Sequence, residues 1–262
     1  MIRRLPSVLV LAAAVALLAS ACGAGGSAGP VLTDPKAIIT AALTSTQSAK
    51  SVHVEATVDG VVPVTLPGSS TATEVTLTGT TASVDADLAN KAVHATFAVP
   101  NVLGLRGELI VVDGKTYLKT TLTGPKYRVI DAGSALPIDP SNTTGLIGNL
   151  GDFLLKPGVD PTKGDDATCS SKQCYSIVVD LTSAELAAIV GDGAKSLPVD
   201  VSGASLKMTI LVEKDAPNHL AGVALTIGLP SGKTLDANLT FSKWDEPVTV
   251  TAPPADQVTT GN

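Results

Sequence analysis

Residues that most catalytic and metal-binding motifs require are scarce in this chain. Aromatic residues make up 3% of its 262 residues, and there are three histidines and three cysteines. His53, His94 and His219 have no HExxH motif, no Ser-x-Gly elbow and no paired-cysteine spacing nearby, so nothing indicates a metalloenzyme or a serine hydrolase. We therefore predict a protein that is not an enzyme and needs no cofactor and no metal. The three histidines are interpreted as surface residues.

Positive charge is scarce as well. Lysine and arginine total 18 against 24 aspartates and glutamates, which gives a net charge of −6, and the acidic residues are scattered. Such a chain lacks the basic excess that neutralises phosphates, so nucleic acid is not an expected partner. An acidic body also gains nothing from anionic lipid headgroups, so attachment to a membrane has to come from another feature.

That feature lies at the N-terminus. Arg3 and Arg4 precede an apolar run over 8–19, which is shorter than the about 20 residues of a membrane-spanning helix and has the length of a signal-peptide core. Small residues at 19–21 then lead to Cys22, which resembles the bacterial lipobox, although alanine holds the position where leucine is favoured. The resemblance implies a signal peptide over 1–21 and a diacylglyceryl thioether on Cys22. The alternative is an ordinary cleaved signal peptide with Cys22 as a free thiol.

The mature chain is predicted to be one domain on a short tether. Residues 22–32 (CGAGGSAGPVL) carry the lipidated N-terminus and a flexible glycine-rich linker. Residues 33–262 are long enough for a substantial core and contain no second linker. A helix is predicted over 33–49, because Asp34 can cap it and Pro35 suits its first turn.

After this helix the hydrophobic period changes from 3.6 to 2, which predicts strands. They lie around 52–58, 74–88 with an irregularity near Gly79, 93–99, 105–112, 116–118, 127–130, 174–181, 206–212, 220–227 and 235–241. Asp113-Gly114 predicts a two-residue hairpin, since that turn needs positive φ at both central residues. Strands joined by short turns favour antiparallel pairing.

Two further helices are predicted between strands. One spans 141–156, where apolar residues form a stripe despite three glycines. The other begins with a capping box between Thr182 and Glu185 and ends at Gly191. Three amphipathic helices must lay their apolar stripes on one common face of the sheet, which makes the fold class α+β.

Cys169 and Cys174 form a second small motif, CSSKQC. In an oxidising compartment they are predicted to form a structural disulfide that holds the entry to the next strand. A redox-active pair is the alternative, but such pairs usually have two intervening residues at a helix N-terminus.

Several segments in their order and spacing resemble the mycobacterial LppX/LprA/LprF/LprG lipoprotein family. They are the lipobox at Cys22, AKSVHVEATVDG after the first helix, VVDGKTYLK in the hairpin, DPSNTTGLIGNLGDFL on the second helix and SKWDEPVTVTAPP near the end. The cysteine pair at 169 and 174 departs from the family, and so does Asp245, where glycine is more usual. Trp244 in the last segment is interpreted as a packing anchor at the sheet edge.

The resemblance implies a single highly curved antiparallel sheet, a half-barrel, with helices on its concave side enclosing an apolar cavity. Members of the family bind lipids or glycolipids with several acyl chains and help to carry them across the cell envelope. If that geometry holds, the ligand pocket is lined by Val93, Phe97, Leu105, Leu109, Val111, Leu146, Ile147, Leu150, Leu154, Ile177 and Val179. Val93 is the leading candidate because it matches the strand that crosses beneath the covering helix. Each of these residues is equally an ordinary core residue.

The expected function is that of an exported lipoprotein, anchored to the outer face of the cell membrane through Cys22, that shelters acyl chains. Its partners would be a multi-acyl lipid or glycolipid, the membrane itself and a membrane lipid transporter. The aliphatic composition fits a cavity as well as a dry core, so it does not decide between them. The alternative is an envelope interaction or scaffold lipoprotein without lipid cargo.

Overall fold

The computed structural model describes residues 31–65, 72–130, 151–190 and 203–259. The signal peptide, Cys22, most of the second predicted helix and the pocket candidates Leu146, Ile147 and Leu150 therefore lie outside the described residues.

The first helix, α1, spans Pro35–Ser48 and confirms the predicted one. Asp34 caps it, because its carboxylate accepts hydrogen bonds from the backbone N–H groups of Lys36 and Ala37. The buried residues Ile38, Ile39 and Ala42 lie on one side of the helix, as the apolar stripe predicts.

Seven strands follow α1. They are β1 (Ser51–Thr65), β2 (Ala72–Thr76), β3 (Thr80–Asp87), β4 (Ala92–Val99), β5 (Leu105–Val112), β6 (Lys115–Thr120) and β7 (Tyr127–Ile130). The predicted irregularity near Gly79 is a turn that divides one predicted strand into β2 and β3, with Gly79 at φ 78°. The hairpin between β5 and β6 is confirmed, since Asp113 and Gly114 have φ values of 52° and 69°.

In the second half of the chain, helical segments are again followed by strands. A helical stretch at 151–154 precedes β8 (Thr162–Lys163), β9 (Ala167–Cys169), β10 (Lys172–Leu181) and helix α2 (Ser183–Val190). Strands β11 (Ser205–Glu213), β12 (Leu220–Gly228) and β13 (Thr234–Ser242) follow, then a 3₁₀ turn at Ala255–Gln257 and β14 (Val258–Thr259). The capping box of α2 is present: Glu185 accepts from the Thr182 backbone N–H at 2.8 Å, and the Glu185 N–H donates to Thr182 Oγ1.

The described strands join one large open sheet with the order β14-β7-β6-β5-β4-β3-β1-β13-β12-β11-β10-β8. Strand β2 adds to the far end of β1, and β9 pairs with β10. Every pairing is antiparallel except that of β14 with β7. The α+β class with one antiparallel-rich sheet is therefore confirmed.

The two faces of this sheet differ in polarity because each strand alternates. The apolar face is the one that carries Val54, Val84, Ala95 and Leu109, which are aligned across β1, β3, β4 and β5. The polar face is the opposite one, with His53, Asp85 and His94 in the neighbouring row.

The main core lies where helices cover the apolar face. Ile38 and Ile39 of α1 pack with Leu154 and with the apolar row of β10 to β12, which includes Tyr175, Ile177, Val179, Met208, Ile210, Val212 and Val223. Leu186 of α2 packs against the same cluster. Residues of α1, of 151–154 and of α2 thus pack in one core cluster with strands β10 to β12.

Candidate functional site

The candidate site is a part of the apolar face where the side chains are only half-buried. We call it the apolar strip: it consists of Ala56, Ala82, Val84, Ala95, Phe97, Leu109, Leu118 and Leu239, on six strands. Register pairs place these residues side by side, for example Val84 opposite Ala95 and Ala95 opposite Leu109. A contiguous apolar surface of this kind on a folded domain marks a site for a partner or ligand.

The ring of Phe97 lies over Gly107 of the next strand. Phe97 is paired with Gly107, and a Cβ atom at Gly107 would lie 2.2 Å from the end of that ring. Only glycine leaves room for this arrangement. As a result the ring extends the apolar strip along the sheet.

The predicted pocket residues fall into two groups among the described residues. Phe97, Leu105 and Leu109 are half-buried on the apolar face. The others are packed into the protein: Val93 and Val111 in a small cluster with Val52 and Ala86, and Leu154, Ile177 and Val179 in the main core. Val93 is 5% exposed and Val111 2%. That these residues line a lipid pocket stays a prediction.

Trp244 lies at the junction between the two clusters. It packs against the main core, against the Val52 cluster and against Phe241, with ring centroids 6.1 Å apart. Its indole N–H donates to the Leu220 carbonyl at 2.9 Å. Trp244 is a packing anchor as predicted, but it directly follows β13, which lies in the middle of the sheet and not at its edge.

The interpretation of all three histidines as surface residues is wrong for His219, which is 8% exposed. Its ring stacks on Trp244 at a centroid distance of 4.9 Å, and its Nδ1 lies 2.6 Å from Ser45 Oγ on α1. Burial lowers the pKa of His219, although Glu213 and Asp245 oppose the shift. The contact between the neutral ring and Ser45 therefore joins α1 to the start of β12. Local sequence gave no signal, because Ser45 and His219 are 174 positions apart.

Asp245, which stands where the family favours glycine, has φ 60°. This left-handed conformation explains the preference for glycine, and aspartate is one of the few other residues that tolerate it. Its carboxylate compensates by accepting a hydrogen bond from the Lys50 backbone N–H at 2.7 Å. The departure from the family pattern thus keeps the turn and adds a link to the start of β1.

Several charged side chains on the polar face are paired with one another. Glu108 binds Lys119 at 2.6 Å and His94 at 2.9 Å, and Lys119 also donates to the Tyr127 hydroxyl. Burial alone would raise the pKa of Glu108, but these hydrogen bonds outweigh it and lower the pKa to about 2. His53 lies between Asp85 and Glu55, and its hydrogen bond to Asp85 raises its pKa. These groups form a structural network.

Other features of the described residues give no second site. Among the described ranges, no group of three or more His, Cys, Asp or Glu is arranged to hold a metal ion. A cleft of about 550 Å³ lies on the polar face between the β9–β10 hairpin and β13, with Glu213, Lys172 and Asn238 in its wall. Charged and amide groups make it unsuited to hydrocarbon.

The β9–β10 hairpin contains the predicted disulfide. Cys169 and Cys174 are bonded, with their Cα atoms 6.0 Å apart, and Cys174 is fully buried. The bond lies at the start of β10, so the predicted disulfide is present, and its structural role stays a prediction.

Within the parts of the chain that the structure describes, no helix combines the length and the apolar character that a bilayer crossing requires.

Comparison with solved structures agrees with this architecture. LprF from Mycobacterium bovis matches with a TM-score of 0.56 and 19% identity, over 86% of this chain and 99% of LprF. This chain has the fold of LprF. LppX from Mycobacterium tuberculosis matches with a TM-score of 0.48 and 20% identity, over 83% of this chain and 98% of LppX. No family model and no curated protein matches the chain. At these identities the likeness to LprF establishes the fold, and to that extent the resemblance found in the sequence is confirmed.

Proposed function

We propose that this chain is an envelope lipoprotein, anchored through Cys22, that binds lipids with several acyl chains against its apolar face and carries them across the cell envelope. In this proposal the sheet curves into a half-barrel, and the apolar strip forms one wall of a cavity under the helices. The observation that carries the proposal is the half-buried apolar strip, which continues the apolar face beyond the area that α1, 151–154 and α2 cover.

Energetics favour this use of the strip. Each methylene group moved from water to an apolar surface gains ~0.8 kcal/mol, so a 16-carbon chain left in water costs about 12 kcal/mol. The row that contains Val84, Ala95, Leu109 and Leu118 is aliphatic across four strands, and Arg128 of β7 borders it next to Leu118. A lipid chain and the strip therefore shield one another from water.

The test compares the lipid that co-purifies with the full chain and with Ala95→Trp. Ala95 lies in the middle of the strip and is half-buried, so an indole there occupies the surface that an acyl chain would contact. Both proteins are purified in the same detergent, extracted with organic solvent and analysed by mass spectrometry. We expect multi-acyl lipid with the wild-type chain and at least about a tenfold loss in Ala95→Trp, which corresponds to about 1.4 kcal/mol.

Thr96→Trp is the matched control, because Thr96 is the next residue of β4 and points to the polar face, where it is exposed. It carries the same indole and the same anchor, and its lipid content should equal that of the wild type. Val93→Trp tests the leading candidate from the sequence, but its side chain lies in a packed cluster, so a thermal melt must accompany it. Equal lipid in all four proteins would contradict the proposal.

The same experiment addresses the second candidate function, an interaction or scaffold lipoprotein. No multi-acyl lipid other than its own anchor would co-purify with such a protein. Glu108, Lys119 and His53 on the polar face are paired within the protein and are not available to a partner, so the lipid carrier is the function we favour.

A further inference from the structure

Two neighbouring loops at one end of the sheet expose leucine side chains. Leu103, in the loop between β4 and β5, is 86% exposed, and Leu122, between β6 and β7, is 60% exposed. The loops are joined at their base, where the Thr121 N–H donates to the Arg106 carbonyl and the Arg106 N–H donates to Thr121 Oγ1. We call residues 100–106 and 121–126 together the leucine tip.

The backbone at Leu103 is in a conformation that suits leucine poorly. Its φ is 53°, in the left-handed region, where a bulky side chain is an outlier and glycine or asparagine is the usual choice. The turn between β4 and β5 requires this conformation, because Gly104 also has positive φ and the Leu105 N–H donates to the Val102 carbonyl. The turn does not require leucine, whose side chain is exposed and therefore available for a contact outside the protein.

The charge of the leucine tip is opposite to that of the whole chain. Arg106 and Lys126 are exposed, and residues 100–106 and 121–126 contain no aspartate or glutamate. In the described part of the chain, neither of these cations lies within ion-pair distance of a carboxylate. The neighbouring carboxylates are engaged elsewhere, Glu108 by Lys119 and His94, and Asp59 by the Gly79 N–H.

We propose that the leucine tip docks onto a bilayer surface that contains anionic lipid. Leucines would enter the headgroup boundary while Arg106 and Lys126 contact phosphate groups, each cation near the surface contributing on the order of 1 kcal/mol. The tip itself contains no acidic residue, so the net charge of −6 is carried by the rest of the chain. This inference stands on the tip alone and does not require that the apolar strip binds lipid.

A continuous apolar path leads from the tip to the apolar strip. Leu105, which follows the first loop, is paired with Val99, and the next pair on the same face is Phe97 with Gly107. A docked tip would therefore bring the open end of the apolar face to the membrane.

The experiment uses tryptophan fluorescence in the full chain. Leu122→Trp is mixed with vesicles of equal parts phosphatidylglycerol and phosphatidylcholine whose acyl chains are brominated, because bromine quenches an indole that contacts it. After subtraction of the Trp244 background measured with the wild type, we expect roughly half of the new emission to be lost. Leu155→Trp is the control: Leu155 is also an exposed leucine, outside the tip, and its emission should be unchanged.

Charge and apolar contact are separated by second substitutions. In Leu122→Trp combined with Arg106→Glu and Lys126→Glu, quenching should fall to the control level, and vesicles of brominated phosphatidylcholine alone should quench weakly. Leu103→Asn should also reduce quenching while it keeps the fold, since asparagine tolerates positive φ. Quenching of Leu122→Trp no greater than that of Leu155→Trp would overturn the proposal. The same result is expected if the tip binds a protein and not a membrane.

Discussion

At the scale of single residues, two histidines in this protein have opposite electrostatic environments. His53 lies between the carboxylates of Asp85 and Glu55, which stabilise its protonated form. His219 is buried against Trp244 with Ser45 as its hydrogen-bond partner, and burial favours its neutral form. The two rings therefore make contributions of opposite sign to the pH dependence of stability.

The first prediction concerns that difference. The lowered pKa of His219 means that its contribution to stability is present above the unfolded value of 6.5 and is lost as the pH falls below it. The raised pKa of His53 means that its contribution is present below 6.5 and is lost as the pH rises through the folded pKa. We expect His219→Gln to weaken the loss of stability on acidification and His53→Gln to increase it.

The measurement is the free energy of unfolding in urea at about pH 7.5 and about pH 5.5 for the wild type and both variants. His219→Gln should also lower stability at both values by roughly 1–3 kcal/mol, because it removes the stacked ring and leaves Ser45 without its partner. An identical pH dependence of the free energy of unfolding in all three proteins would show that the two histidines do not make these opposite contributions.

The second residue-scale prediction concerns Asp245. Asp245→Gly relaxes the backbone at φ 60° but removes the carboxylate that binds the Lys50 N–H, whereas Asp245→Ala keeps the strain and removes the hydrogen bond. A strained residue costs about 1 kcal/mol or more, and a lost hydrogen bond about 1 kcal/mol. Alanine should therefore destabilise the protein more than glycine, by about 1 kcal/mol in urea unfolding. An alanine variant as stable as the glycine variant would contradict this account.

Sequence reasoning at this scale succeeded for local contacts and failed for distant ones. The Asp34 cap and the Thr182–Glu185 box involve residues within three positions, so their types alone predict them. The contact of Ser45 with His219 depends on how α1 lies across the sheet, and no local pattern encodes that position.

At the scale of the elements, strand existence was predictable but strand pairing was not. Alternation identified the strands and the Asp113-Gly114 turn, because period and turn chemistry are local. The sheet order, in which β1 lies between β3 and β13, joins segments from the two ends of the chain. Sequence patterns of single strands carry no information on such partners.

Gly60 lies where β1 changes its pairing partner, and glycine is needed there. Strand β1 pairs with β3 up to Val58 and with β2 from Val61, and Gly60 lies at the change with φ 133°. A Cβ atom there would lie 2.4 Å from the Thr234 carbonyl oxygen of β13. Glycine is therefore required both by the conformation and by the close approach.

The third prediction follows from this geometry. We expect Gly60→Ala to destabilise the protein by about 3 kcal/mol or more, because strain and a backbone clash add. Gly114→Ala is the control: its φ is 69°, but nothing lies within 4 Å of the added Cβ, so only about 1 kcal/mol is expected. Urea unfolding measures both, and equal losses would show that the contact with Thr234 is unimportant.

At the scale of the whole molecule, the decisive feature is that the helical segments the structure describes cover only part of the apolar face. The main core over β10 to β12 is closed by α1 and Leu154, whereas Ala95, Phe97 and Leu109 on β4 and β5 remain half-buried. Alternation predicted which residues share this face, but the extent of the cover depends on helix placement and could not be predicted. The sequence thus indicated a common face and left open which part of it is available to a ligand.

The last prediction links this incomplete cover to stability. A ligand that binds only the folded state stabilises it, by about 2.7 kcal/mol at a concentration one hundred times its dissociation constant. If acyl chains complete the apolar strip, removal of lipid should lower the melting temperature of the wild-type chain by roughly 5 °C or more, and added multi-acyl lipid should restore it. In Ala95→Trp the indole already occupies the strip, so its melting temperature should not respond to lipid, whereas Thr96→Trp should behave as the wild type. A melting temperature of the wild type that is unaffected by lipid removal would mean that the half-buried side chains of the strip hold no cargo.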